Sequence, residues 1–403
     1  RSQLDERGEA RVEANTKRYQ FVGEAFGGIK EVKIQGKEEA FLNLYDDPSE
    51  RYAWNQALYR VIKKSPRYII EMVAFGGIIL IAVYLIAVQE NIQQVIPVLG
   101  TYAFAGYRLL PALQEAFHGL ASARFNIAAL NKLHRDLTGL TEADSPSFGG
   151  TKKTYPPPLR LNKELALHKV SYTYPDAERP AINELSLTIS ARSMVGFVGK
   201  TGSGKTTAVD LILGLLRPQG GEIKIDETPL EAENLRRWQQ TLGYVPQHIY
   251  LSDDTVARNI AFGVAQDQID MEAVREAARR AHIFDYVEQD LPNQWETVVG
   301  ERGVKLSGGQ RQRIGIARAL YHDPSVLVFD EATSALDQST EAGVMEAIYD
   351  LESEQTILII SHRLSTVQRA DNIFMLEDGR KVGEGSYDQL VEEHSKFRSM
   401  ALS

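Results

Sequence analysis

Along the chain, apolar residues first recur at helical spacing, then merge into an unbroken run, and later gather into short β-rich blocks separated by helical stretches. Residues 1–60 are charged and alanine-rich, and Tyr19, Val22, Phe26 and Ile29 fall on one face of a predicted helix. Gly27-Gly28 and Gly36 are expected to break it. Residues 72–88, MVAFGGIILIAVYLIAV, carry no charge over 17 positions. A helix crossing hydrocarbon needs roughly 20 mostly apolar residues, range about 17–25, so 69–88 is long enough once Glu71 lies at the interface. Lys63, Lys64, Pro66 and Tyr68 form a boundary suited to the cytoplasmic side. Residues 95–113 make a weaker second span, interrupted by Pro97, Arg108 and Pro111. Only 89–94 separates the two runs, as in a tight hairpin on the far side of a bilayer. The competing reading is a hairpin buried in a protein core. Arg108 would be costly against lipid and is expected to face a bundle interior.

Residues 138–158 are rich in Thr, Ser, Gly and Pro and end in Pro156-Pro157-Pro158, which reads as a linker. Beyond it, β-rich runs at 193–198, 325–329 and 356–360 alternate with helical stretches. That alternation predicts an α/β domain with a largely parallel sheet. The expected division is a helical part over 1–137, a linker over 138–164 and the α/β domain over 165–403.

Composition narrows the function. A length of 403 residues suits two to three domains. The formal charge of −9 argues against nucleic acid as a partner, because a phosphate-binding face needs a basic excess. The absence of cysteine excludes disulfides, thiolate metal sites and cysteine nucleophiles. The chain opens at Arg1 inside a charged helical run, without an initiator Met or signal pattern, which reads as a boundary within a longer protein.

Three motifs carry chemistry. Gly199-Lys200-Thr201-Gly202-Ser203-Gly204-Lys205-Thr206 fits the phosphate-loop pattern, between an apolar strand ending at Val198 and a helical run over 207–216. Its glycines let backbone N–H groups wrap phosphates at a helix N-terminus. Lys205 is suited to the β and γ phosphates, and the Thr206 hydroxyl to Mg²⁺; Thr207 follows at the same helix start. By chance the bare pattern would occur in about one chain of this length in a hundred. Residues 326–331 (VLVFDE) form a buried strand ending in two acids, where ligands of parallel sheets sit. Asp330 is suited to hold Mg²⁺ or its waters, and Glu331 to polarise an attacking water. Leu306-Ser307-Gly308-Gly309-Gln310 precedes a helical run over 311–321 and offers a second anion-binding helix end. A second phosphate site makes sense if it serves another molecule's ATP.

That pentapeptide resembles the signature of ABC-type ATPases, and the rest of the family's set follows in order. Tyr174 in SYTYP resembles the aromatic that stacks on adenine, with Tyr172 as the rival. Gln247 in YVPQ resembles the loop glutamine that touches Mg²⁺ and the water. Ser334-Ala335-Leu336-Asp337 resembles the loop crossing the dimer interface, and His362 the switch histidine at the γ-phosphate. Glu301-Arg302-Gly303 resembles a segment of exporter-type members that contacts the membrane domain. The resemblance covers roughly 165–403 and departs at no catalytic position.

The fold it implies is an α/β P-loop NTPase domain with an α-helical signature subdomain, preceded by an all-α partial transmembrane domain. That partial domain would hold the end of the fourth helix, a coupling helix near Phe26–Lys30, and the fifth and sixth helices; the remaining helices of the bundle are expected to be missing, so that this chain alone would not transport. The wording GGIKEVKIQGKEEAF at 27–41 is similar to bacterial exporters that flip lipid-linked saccharides. The resemblance thus implies ATP and Mg²⁺ as ligands, a second copy or homologous half-transporter as partner, and a multi-pass place in the inner membrane with the ATPase domain cytoplasmic. Exporters of peptides or drug-like molecules, an importer subunit, and a soluble ABC-type ATPase of DNA maintenance or translation are the rivals; the uncharged run at 72–88 and the acidic charge oppose the last.

Overall fold

The computed structural model describes residues 3–88, 92–138, 157–175, 177–300, 303–332, 337–352 and 354–401. The chain forms two compact units, Arg1–Gly149 and Gly150–Ser403. The first is helical: α1 (Gln3–Gly27), α2 (Ile29–Gln35), α3 (Glu38–Val88) and α4 (Ile92–Thr138). The breaks fall at the glycines read from the sequence. Gly36 closes α2 with φ 61°, a left-handed cap open to glycine at no steric cost.

At about 1.5 Å per residue the 51 residues of α3 extend about 75 Å, more than twice a hydrocarbon core. Its polar half therefore continues well past any membrane it enters. Pro48 and Pro66 lie inside it without ending it, as Pro97 and Pro111 do in α4. Among the described residues, α3 is the helix long and apolar enough to cross a membrane, with mean hydropathy 1.8 over a window none of which is buried. The weaker span at 95–113 lies within one continuous helix but does not meet that test; Pro97, Arg108 and Pro111 dilute it. The polar halves are knotted together: Tyr59 stacks on Phe125 at 3.9 Å, the Arg11 guanidinium covers the same ring at 4.4 Å, and a Cβ on Gly8 would meet the Phe125 carbonyl.

The second unit is built on two sheets. One has the order β2 (Ile182–Ser190), β1 (Glu164–Tyr172), β4 (Gly220–Ile225) and β5 (Thr228–Pro229), with antiparallel neighbours. The other has the order β10 (Arg380–Gly385), β9 (Asn372–Glu377), β3 (Met194–Val198), β8 (Thr356–Ile360), β7 (Val326–Asp330) and β6 (Leu242–Val245). All its pairings are parallel except β9 with β10. The parallel sheet was expected. The antiparallel one was not, because its strands hold charged residues and mix buried with exposed positions. β3 and β8 are buried along their whole length, as strands covered on both faces must be.

Between the sheets lies α5 (Lys205–Ile212), which packs Ala208, Val209, Leu211 and Ile212 into the core. Trp238 closes this layer, fully buried, with its indole N–H donating to the Ile212 carbonyl at 2.7 Å. Trp238→Ala removes a large buried ring and orphans that carbonyl, so it should destabilise this unit by about 3–5 kcal/mol, measured as a lower unfolding midpoint in denaturant. A separate apolar cluster joins the helices Val256–Ile260, Met271–Arg280 and Gly308–Leu320 to the other face of the sheet.

Candidate functional site: a phosphate loop and an acid–amide–imidazole cluster

Order β9-β3-β8-β7-β6 brings the carboxyl ends of the parallel strands to one edge, where the strand-terminal loops converge. From β3 the chain turns through Gly199–Gly204 into α5. Gly199 holds φ 148°, and a Cβ there would lie 2.3 Å from the Leu376 carbonyl, so only glycine fits. Gly204 takes φ 100° to start the helix. Gly379, in the turn between β9 and β10, braces the loop from behind by donating its N–H to the Ser203 carbonyl at 3.0 Å.

The Lys205 side chain folds back under the loop and donates to the Gly199 and Lys200 carbonyls at 2.9 and 3.1 Å. Burial lowers its affinity for a proton, while Glu331 and Asp330 act in the opposite direction. Ser203 is buried, and its Oγ has no hydrogen-bond partner in the protein. Thr206, by contrast, is exposed at the same edge. Lys200, Thr201 and Gly202 form the exposed crest of the loop. The buried Thr207 hydroxyl meets the Tyr174 hydroxyl at 3.3 Å. Tyr174 is 41% exposed and set edge-on to Tyr172, which packs partly buried against the core. Of the two, Tyr174 offers the freer ring face.

At the ends of β7 and β8 the two acids diverge. Asp330 turns toward β6 and accepts the Tyr244 hydroxyl at 3.1 Å. Burial raises its proton affinity, and burial with Asp330 alongside pushes the Tyr244 phenol up to about 12. Asp210 of α5 shares this corner and is likewise raised, by burial and then by Asp330. Glu331 sits at φ 47°, its N–H held by the Ile360 carbonyl at 3.0 Å. Its Oε2 accepts from Gln247 Nε2 at 2.9 Å, and its Oε1 lies 2.6 Å from His362 Nε2. Three residues distant in sequence thus meet on one carboxylate.

Ser307 caps the helix Gly308–Leu320 in a reciprocal box: its Oγ accepts the Gln310 N–H, while Gln310 Oε1 accepts the Ser307 N–H. Gly309 faces Thr340, whose methyl would lie 2.3 Å from any added Cβ. Asp337 caps the next helix, Gln338–Tyr349, through the Thr340 N–H. Ser334, Ala335 and Leu336, and Glu301 and Arg302, lie outside the described residues. The sequence reading missed Tyr244 and Gly379, which become neighbours of the site only through strand order, and Asp210, which lies on α5 itself.

The oxygen set suits Mg²⁺ better than a fully caged metal. Among the described residues no cluster of three or more His, Cys, Asp or Glu side chains is arranged to hold a metal. Magnesium is commonly held by one or two carboxylates plus substrate phosphates and waters. Asp330, Thr206 and Gln247 offer one carboxylate, one hydroxyl and one amide, and the unpartnered Ser203 Oγ marks a polar cradle for phosphate oxygens.

Residues 182–334 match the family described as ABC transporter. An ATP-dependent lipid A-core flippase of Cupriavidus metallidurans is 35% identical over 398 residues, covering 96% of this chain and 64% of that protein. The flippase of that name from Vibrio vulnificus strain YJ016 is 32% identical over 374 residues, 93% and 62% of the two chains. One from Coxiella burnetii reaches 42% over 242 residues, 60% and 41% of the two. Among solved structures, a bacterial Atm1-family ABC exporter with ATP bound superposes with a TM-score of 0.78 at 26% identity, covering 99% of this chain and 69% of that one. The chain spans less than two thirds of the length of these curated relatives.

Proposed function

We propose, from the premise that this chain belongs to the ABC transporter family, that it binds and hydrolyses ATP to drive a lipid-linked substrate across a membrane. The carrying observation is the Gln247–Glu331–His362 cluster beside a phosphate loop. In this reading Lys205 and the loop N–H groups hold the β and γ phosphates, Ser203 adds its orphaned hydroxyl, and Tyr174 stacks on the base. Glu331 takes the proton of the attacking water, with Gln247 and His362 fixing its two oxygens. Asp330, Thr206 and Gln247 hold Mg²⁺, which when bound neutralises the charge that develops on the phosphates.

Ser307, Gly308, Gly309 and Gln310 would serve the nucleotide of a second copy or homologous half-transporter. Closing two chains on two ATP molecules, and releasing them on hydrolysis, is an order switch made of charge-assisted contacts. The short α2, with Ile34 strongly exposed on it and Phe26 strongly exposed at the end of α1 before it, would pass that movement on by docking on the partner's ATP-binding domain. The exposed apolar run of α3 supports a place in the membrane, with the ATP-binding unit cytoplasmic. The flippase relatives favour a lipid with a bulky polar headgroup as cargo.

The test uses this chain purified in detergent. ATP turnover should rise more than linearly with protein concentration, and the chain should partition into liposomes. Turnover strictly proportional to concentration would sink the dimer, and full water solubility would favour the soluble-ATPase rival.

A further inference from the structure

Tyr244 is a residue of this site that the proposed chemistry leaves idle. It lies on β6, the edge strand next to β7, where register pairs it with Val328. From there its hydroxyl reaches the carboxylate at the end of the neighbouring strand and donates to Asp330 Oδ2 at 3.1 Å. The ring is 40% exposed, so it is not a core aromatic whose hydroxyl merely needed a partner.

The surroundings make that bond consequential. Asp330 lies close enough to Glu331 to feel its charge, and close enough to Asp210 to act on it in turn. Like charges so near repel the Asp330 carboxylate. Lys205 attracts it, but the Lys205 ammonium is committed to two loop carbonyls. The Tyr244 hydroxyl is a neutral donor that pins one Asp330 oxygen without competing for phosphate. Neighbours of this kind orient metal-holding groups, and their loss typically costs about 10–100-fold in metal affinity or activity.

The geometry points to Tyr244 as a positioning residue for Mg²⁺: by holding Asp330 Oδ2 it sets the orientation in which that carboxylate meets the cation and its waters. This rests on the nucleotide-binding reading above. If the tyrosine were present only for its ring, phenylalanine would serve equally well.

The experiment measures binding of a fluorescent trinitrophenyl-ATP to the full chain while Mg²⁺ is titrated, for the unaltered protein, Tyr244→Phe, Asp330→Asn and the double variant. Tyr244→Phe should raise the half-saturating Mg²⁺ concentration about 10-fold, the low end for such neighbours. Binding in EDTA and the thermal midpoint should stay unchanged. In the Asp330→Asn background the second substitution should add nothing, because its partner is gone. A midpoint within twofold of the unaltered protein, an equal loss in EDTA, or an additive shift in the double variant would overturn the assignment while leaving nucleotide binding intact. The underlying reading is tested separately by Lys205→Met: undiminished binding in that variant would bring both down.

Discussion

Glu331→Gln is expected to cut ATP turnover by roughly 10²–10⁴ while leaving ATP binding intact, the loss usual for a general base. The structure explains why the change should be clean. Glutamine has the size of glutamate and can keep the bond to Gln247 once its amide turns to suit. The backbone N–H stays with the Ile360 carbonyl, and φ 47° strains either residue alike. What disappears is the basic oxygen that His362 approaches at 2.6 Å. Phosphate release at saturating ATP, together with nucleotide affinity, measures both halves of the expectation. Near-normal turnover would remove Glu331 from its role.

The second large effect is expected at Lys205. Replacing it with Met removes the ammonium at the heart of the loop and should weaken nucleotide binding on the order of 10²–10⁴-fold. Hydrogen bonds to charged groups are worth about 1.5–3 kcal/mol each, and two phosphates lose one. The fold should survive, because α5 is anchored by Ala208, Val209, Leu211 and Ile212 rather than by its first residue. An unchanged unfolding midpoint beside the lost affinity would separate the two effects. Affinity within threefold of the original would refute the assignment.

How much of this was legible beforehand depends on distance along the chain. The glycine turn between β3 and α5 could be read outright, since its spacing, glycines and flanking strand and helix are contiguous. β8 fell at its expected bounds, and β7 and β3 within a residue of theirs. The helix after the loop ends at Ile212, earlier than the apolar run to Leu216 suggests, because Gly214 turns the chain at φ 67°. The Gln247–Glu331–His362 cluster was accessible only through family resemblance. No local pattern ties Gln247 to an acid 84 positions later; strand order does. Tyr244 was hidden for the same reason, and so was Gly379, whose importance is a close approach to Ser203 from another hairpin. In the helical unit the glycine breaks were plain, whereas the unbroken passage of α3 through Pro48 and Pro66 was not, because proline punctuates most soluble helices.

One consequence follows from the cap at Ser307. Because Ser307 and Gln310 satisfy each other's backbone donors, the start of that helix is finished in the lone chain and needs nothing from outside to become ordered. The Ser307 oxygen is used as an acceptor, and its hydrogen remains to be offered to an anion. In the dimer proposed above, two such chains would meet and part without any refolding at the seam. How long they stayed together would be timed by the survival of a phosphoanhydride bond, so the proposed cycle would keep the clock of its chemistry and not of its polypeptide.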